Sequence, residues 1–488
     1  MAFNDLQDFI RTMDEAGEVI HIHKQIDAEL EITEIADRVF KSGDGKLLYF
    51  HNVKGYDIPV VINLFGTRKS MEQALGVNDL NDITARIGEL LKIEMPKGFR
   101  EKFQMLPRLM DIAKAPPKMV KKGICQEVVY TGDEVDLTKL PVPLSWPDDG
   151  GPFMTLPQVI TRDPETGLRN VGMYRMQVFD KNTTGMHWQR HKSGAEHYDK
   201  SRKMGKEKIE VAVAFGGDPV EIFSASAPLP PGIDEYMFAG FLRNKPVSLV
   251  KCKTIGLEVP ADAEIVLEGY VDPNEELAWE GPFGDHTGFY SLADWYPKYH
   301  VTAITMRKNP VYPTTIVGRP PMEDYWMGHA TERIFLAMIK MVLPEVVDYH
   351  MPAEGVFHNL IFVSIDKKYP GHAQKVMHAL WGMGLMMLAK VIVVVDKDVD
   401  VQNTSEAWWI TLGNIDPQRD IIFTKGPVDV LDHASQHFSY GSKMGIDATR
   451  KWKEEGFERE WPDKITMTEE VKKRVDEMWG ELFSQKEN

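Results

Sequence analysis

The chain has 488 residues, 43% apolar and 27% charged, with a formal charge of −16. That length expects two or three domains, each able to bury its own core. The acidic balance excludes a nucleic-acid groove, which needs a surplus of phosphate-neutralising cations. The longest apolar stretch, residues 380–395, is interrupted by Lys390 and reads as a helix end followed by a strand, not as a membrane span. The first residues lack the basic and apolar regions of a signal peptide. The expectation is therefore a cytoplasmic protein with at most peripheral membrane contact. Cys125 and Cys252 are the only cysteines, and a reduced interior is expected for them.

In chain order, residues 6–16 have apolar side chains at helical spacing and stop at Gly17, and residues 29–40 repeat the pattern. Residues 47–50 and 60–63 read as strands, so the first ~110 residues form a small α/β unit within the usual domain size. A Pro/Lys-rich linker spans 114–122. Short β-rich runs then recur at 128–130, 158–161, 173–179, 209–215, 247–252, 264–271 and 300–306, with one helix at 232–243. These predict a mostly antiparallel sheet or barrel. The last third reads strand 360–365, helix 371–382, strand 391–395, helix 405–412 and strand 421–423. That order predicts parallel βαβ units. Residues 442–452 read as ordered structure. An amphipathic helix at 469–483 is expected to dock on the body or on a neighbour.

The motifs of phosphate-loop hydrolases, Rossmann dehydrogenases, zinc proteases and serine hydrolases are absent from the sequence. Glu280-Gly281-Pro282-Phe283-Gly284-Asp285-His286 stands out instead. Two acids lie in a loop that Gly281, Pro282 and Gly284 keep from being helix or regular strand. Read blandly, this is a surface turn. Read chemically, it is a pocket in which like charge and burial push two carboxyl pKa values apart. Asn170 and Arg175 flank a strand, and Arg175 offers a planar fork for a carboxylate or phosphate. Asn170, His191 and Glu235 are hard donors that would suit manganese or magnesium. Each of these alone has an ordinary structural reading.

Taken together, the strings 170–175, 191–195, 228–235, 280–286, 318–321 and 442–452 resemble the UbiD family of reversible decarboxylases over nearly the whole chain. Leu64-Phe-Gly-Thr67, Leu267-Glu-Gly-Tyr270, Gly284-Asp-His-Thr-Gly288 and the run from Gly441 are most similar to its 4-hydroxy-3-polyprenylbenzoate branch, of ubiquinone biosynthesis.

The resemblance implies an N-terminal α/β domain (1–113), a central split β-barrel (114–315) and a C-terminal α/β domain with an oligomerisation tail (316–488). It implies prenylated FMN, lined by Met173, Tyr174, Arg175, His187, Trp188, Gln189, Lys192 and Ser193, with Lys390 on the phosphate side. Asn170, His191 and Glu235 would hold a divalent metal, manganese being expected, with potassium near residues 224–235. Glu280, Asp285 and Arg175 would be catalytic, Arg175 keeping one acid ionised. A flavin prenyltransferase would supply the cofactor, and a homo-oligomer, dimer or hexamer, is expected. Residues 322–328, after Gly318-Arg-Pro-Pro321, depart from the enterobacterial ubiquinone enzymes. If they reach the pocket, the aromatic acid is open: another phenolic acid, or a naphthoate of menaquinone synthesis. An FMN-dependent oxidoreductase and a non-catalytic scaffold subunit are the competing classes.

Overall fold

A computed structural model describes residues 2–91, 115–189, 192–229 and 232–483. The boundary expected near residue 113 and the metal ligand expected at His191 lie outside the described residues.

The N-terminal unit forms as its sequence dictates. Asp5 caps the helix Leu6–Glu15 by accepting from Asp8 N. Leu6, Phe9, Ile10 and Met13 then fall on one buried face. The helix Glu31–Lys41 and the strands Val19–Ile22, Leu47–Phe50 and Val60–Ile62 follow. Tyr312–Pro313, from far along the chain, adds a fourth strand to this sheet and so ties the unit to the rest.

The centre is an antiparallel sheet of seven strands. Its path runs Thr183–Gly185, Lys298–Met306, Ala263–Val271, Ile209–Gly216, Gln158–Arg162 and Arg169–Gly172, with Val128–Thr131 paired to Lys298–Met306. Alternate side chains on these strands fill two cores. One lies against the N-terminal helices and the other beneath Tyr174, Trp188 and Tyr299. The strand expected over 173–179 is shorter than the sequence implies. The chain leaves the sheet at Gly172, Met173 N bonds instead to Ala225 O at 2.9 Å, and pairing resumes only at Met176–Gln177. Met173, Tyr174 and Arg175 are thereby released from strand alternation.

A 20-residue helix, Glu323–Val342, leads into the C-terminal sheet. The order there is Val346–His350, Leu360–Ile365, Val391–Asp396, Tyr440–Asp447 and Ile421–Pro427. Leu360–Ile365 and Val391–Asp396 are parallel, as expected. The expected parallel partner at 421–423 is not one. Tyr440–Asp447 takes the central parallel place, and Ile421–Pro427 lies antiparallel on its outer edge. The twelve residues between 427 and 440 hold no helix to carry a crossover, and the chain returns as a hairpin. The helix Glu469–Phe483 is present, and its described side chains are mostly exposed. Among the described residues no helix is long and apolar enough to cross a membrane. Both cysteines are free thiols, and burial pushes Cys125 up to about 12.

Candidate active site

The acid loop hangs from short pairings at the rim of the central sheet. Ala278–Glu280 pairs with Asp294–Tyr296, and Phe283–Gly284 pairs with Tyr290–Ser291. Its backbone is held by side chains that sequence reading did not single out. Gln177 Oε1 accepts from Gly281 N at 2.8 Å, and Asp149 Oδ1 accepts from Gly284 N at 2.7 Å. The Trp146 ring occupies the space where a side chain on Gly284 or Gly318 would sit. Gln177 and Asp149 are ordinary residues in the sequence, and only their backbone partners make them part of the site.

Arg175 reaches this loop from the released segment. Its Nε donates to Glu280 Oε1 at 3.1 Å, its Nη1 to Asp285 Oδ2 at 2.6 Å and its Nη2 to Ser291 Oγ at 3.1 Å. The guanidinium also lies 4.5 Å from the centre of the Phe283 ring. His187 Nδ1 is 2.7 Å from Glu280 Oε1, and His286 Nδ1 is 2.9 Å from Asp285 Oδ1. Each acid thus has its own imidazole, and one guanidinium joins the two. The structure brings Glu280, Asp285 and Arg175 together as the sequence implied, and adds His187, His286 and Ser291.

The electrostatics differ from the expectation of two acids pushed apart. Burial would raise Glu280, but the hydrogen bond and charge of His187, together with Arg175, outweigh it and hold the carboxyl below its usual value. Burial would likewise raise Asp285, yet His286 and Arg175 hold it well below the carboxylate range. Burial lowers His187, with Arg175 adding to the effect. For His286 burial opposes protonation, but Asp285 wins and the imidazole is raised. Three cationic or protonatable groups placed among the acids replace like-charge repulsion with attraction. Two atoms differ in a way that matters: both Asp285 oxygens are engaged, whereas Glu280 Oε2 is buried with no hydrogen-bond partner among the described residues. Room for it comes from Gly185, where an added Cβ would lie 2.9 Å from that oxygen.

Beside this cluster the residues expected to line a flavin converge. Tyr174 Oη accepts from Gly194 N at 3.2 Å, His187 N donates to Arg175 O at 3.3 Å, and the Trp188 ring covers Gly194. Gln189 is half-buried at the end of this wall. Lys192 and Ser193 start the helix Ser193–Lys203. Asp429 acts electrostatically on Lys192, and Lys390 Nζ pairs with Asp432 at 2.9 Å, so two loop acids now face the two lysines.

Asn170 and Glu235 are neighbours. Asp234 caps the helix Glu235–Arg243 by accepting from Tyr236 N and Met237 N, which fixes Glu235 in the first turn, and Val171 N donates to Glu235 Oε2 at 2.8 Å. Burial lifts Glu235 to about 7. Asn170 Nδ2, Ser224 Oγ, Trp188 Nε1 and Arg169 Nε are buried and lack hydrogen-bond partners among the described residues. A buried carboxyl near these orphaned atoms is the environment that a cation and a polar ligand would satisfy. The run after Gly318–Pro321 does reach the site: Met322, Asp324 and Tyr325 line a recess with His286, and burial raises Asp324 to about 6.

An antiparallel sheet bearing a buried guanidinium–dicarboxylate cluster beside an aromatic wall is suited to acid/base chemistry. Three models of the UbiD family match the chain, each described as a part of 3-octaprenyl-4-hydroxybenzoate carboxy-lyase. They are its N-terminal domain over residues 10–90, its Rift-related domain over 118–320 and its C-terminal domain over 325–448. The chain belongs to the UbiD family of carboxy-lyases. It is 56% identical to an uncharacterized protein of Aquifex aeolicus, covering 98% of this chain and 99% of that one. Among solved structures it is similar to the vanillic acid decarboxylase of Sedimentibacter hydroxybenzoicus in closed form, at 28% identity and a TM-score of 0.85, covering 98% and 99% of the two chains. It is also similar to the UbiD-class enzyme HmfF of Pelotomaculum thermopropionicum in complex with FMN, at 28% identity and a TM-score of 0.81, covering 96% and 98%.

Proposed function

We propose that this chain decarboxylates an aromatic acid, reversibly and without net oxidation, using prenylated FMN. One observation carries this reading: Arg175 grips two buried acids, Glu280 and Asp285, beside a wall of cofactor-type side chains. The orphaned atoms around Asn170 and the raised, buried Glu235 support a bound cation and phosphate there. HmfF, whose solved structures include one with prenylated FMN, supports the identity of the cofactor.

Asn170 and Glu235, with His191, would hold a divalent ion, manganese by resemblance, against the cofactor's phosphate, with potassium near residues 224–235. Met173, Tyr174, His187, Trp188 and Gln189 would border the flavin. Lys192, Ser193 and Lys390 would face its phosphate, Lys390 exchanging Asp432 for that anion. When bound, prenylated FMN supplies the electron sink beside the ring carbon that loses carbon dioxide. The chain's own residues manage the proton. His286 Nδ1, raised by Asp285, holds it 2.9 Å from Asp285 Oδ1, which receives it and delivers it to the ring carbon after carbon dioxide leaves. Glu280 Oε2 is the second place on the pair where a proton can rest, including one drawn from a substrate phenol. Arg175 keeps whichever acid has given up its proton ionised.

The substrate we propose first is 4-hydroxy-3-polyprenylbenzoate; because Met322, Asp324 and Tyr325 reach the recess beside His286, another phenolic acid or a naphthoate is the alternative. All three matched family models carry that compound's octaprenyl form in their description. Vanillic acid, the substrate in the Sedimentibacter enzyme's name, is also a 4-hydroxybenzoate substituted at position 3. The resemblance implies an assembly of two or six copies, which the mass in solution checks. The function is tested by co-expression with a flavin prenyltransferase, followed by the mass of the extracted cofactor and carbon dioxide release across a panel. The panel holds 4-hydroxybenzoates, other phenolic acids and naphthoic acids. Plain FMN with no carbon dioxide release would make the chain an oxidoreductase. Release from a naphthoic acid alone would move the substrate.

A further inference from the structure

The helix Glu323–Val342 carries a second cluster, separate from the acid loop and from Asn170 and Glu235. His329 and Glu332 are three residues apart and so share one face. His350 ends the strand Val346–His350, which packs on that helix. The candidate ligand atoms of these three side chains all lie within 4.8 Å of one another. The side chains of Glu332, His350 and His329 are 0%, 3% and 10% exposed.

The arrangement is more than an ion-paired carboxylate. His329 Nδ1 lies 3.1 Å from Glu332 Oε1, and His350 Nδ1 lies 3.1 Å from Oε2. Adjacent ligands around an ion with bonds of about 2.1 Å stand roughly 3.0–3.4 Å apart, so both separations fit a shared metal. His329 Nδ1 is buried, and Glu332 Oε1 at 3.1 Å is its one polar partner among the described residues. The carboxylate is also held by Met351 N on Oε2 at 2.7 Å and by Arg333 Nη2 and Gln402 Nε2 on Oε1 at 2.8 and 3.2 Å. Such outer contacts orient a ligand without blocking it. The charge also fits: Arg333 is shared between Glu332 and Asp348, which leaves two carboxylates against one guanidinium.

We propose that His329, Glu332 and His350 form a metal site that takes a divalent first-row transition ion and ties the long helix to the C-terminal sheet. Two imidazoles and one carboxylate suit zinc, iron(II), cobalt or manganese, whereas calcium prefers an all-oxygen cage. The proposal does not depend on the flavin reading.

The test counts zinc per chain in full-length, cofactor-loaded protein after dialysis against zinc and removal of loose metal. Wild type should hold one equivalent more than His329→Ala and His350→Ala. Glu235→Gln should keep this equivalent while losing the one near the flavin site. Zinc should raise the melting temperature of wild type by several degrees more than that of either histidine variant. Equal zinc content in wild type and both histidine variants overturns the proposal. If neither histidine variant folds, Glu235→Gln decides, because a zinc content of zero there also overturns it. A Glu235→Gln variant that still holds both equivalents bears on the flavin reading and leaves this site standing.

Discussion

Arg175 donates to Asp285 at 2.6 Å and to Glu280 at 3.1 Å through different nitrogens, so one buried cation joins His187 and His286 in holding both acids ionised. A lysine has no such fork. Glu280→Gln and Asp285→Asn should each retain the extracted cofactor yet lose decarboxylation by about 10²–10⁴-fold, the usual weight of a positioned acid or base. Arg175→Lys should lose activity by a similar factor and should also destabilise, because unpairing buried charges costs about 3–5 kcal/mol. Single-turnover carbon dioxide release and thermal melts measure the two effects. Full turnover by both acid variants would remove them from the mechanism.

His286 gives the reaction a pH limb. Its folded pKa is raised above the free imidazole value by Asp285, against burial. The protonated form therefore prevails below that raised pKa and is lost as pH rises through it. Decarboxylation by wild type should fall on the alkaline side, above about 6.5. His286→Asn should lower the plateau and remove that limb, while Asp285→Asn should lower the rate by about 10²–10⁴-fold at every pH. A rate–pH profile of the two variants beside wild type reads this directly. An unchanged alkaline limb in His286→Asn would assign it to another group.

Much of this site was legible because its residues are unusual locally. Glycine and proline around Glu280 and Asp285 announce a shaped loop, and the helices at 6–16, 29–40 and 371–382 follow plain apolar spacing. What stayed hidden depends on distant partners. The helix Glu323–Val342 buries Glu323, Glu332 and Arg333 along with its apolar side chains, so its polar pattern masks the buried face. Tyr440–Asp447 opens Tyr-Gly-Ser-Lys, a poor strand sequence, and becomes central only because Val391–Val394 and Ile421–Pro427 flank it. Asp149, Gln177 and Ser291 have no local signal at all, since each acts through a hydrogen bond to a remote segment.

The acid loop owes its shape to a tryptophan. A Cβ on Gly284 would collide with the Trp146 ring, whose Nε1 is fixed to Val317 O at 2.9 Å, so the ring cannot retreat freely. Gly284→Ala should cost about 1–3 kcal/mol, as overpacking usually does, and should cut turnover more than cofactor affinity. Pairing it with Trp146→Leu, which vacates the ring, should restore part of both. Denaturant melts and the ratio of kcat to KM across the single and double variants measure the coupling. Wild-type activity in Gly284→Ala would show that the ring is not the support of the loop.

Glu323 links stability to pH. It is fully buried, accepts from Phe65 N at 2.8 Å and from Thr315 Oγ1 at 2.7 Å, and burial raises it to about 7 against those bonds. A raised carboxyl favours its neutral form in the folded chain. Its contribution is fully present below the unfolded value, about 4.3, and is lost as pH rises through about 7. Glu323→Gln keeps an acceptor for Phe65 N, turns the Thr315 bond round so that Thr315 Oγ1 accepts from the amide, and cannot ionise. The melting temperature of wild type should therefore fall relative to that of the variant between pH ~4.5 and ~7.5, and the difference should level off beyond. Glu264 and Glu235, also raised to about 7 by burial, titrate in the same window in both proteins and cancel, so the difference reports Glu323 together with its neighbour Asp324. Parallel melting curves across that window would mean that Glu323 stays ionised in the fold.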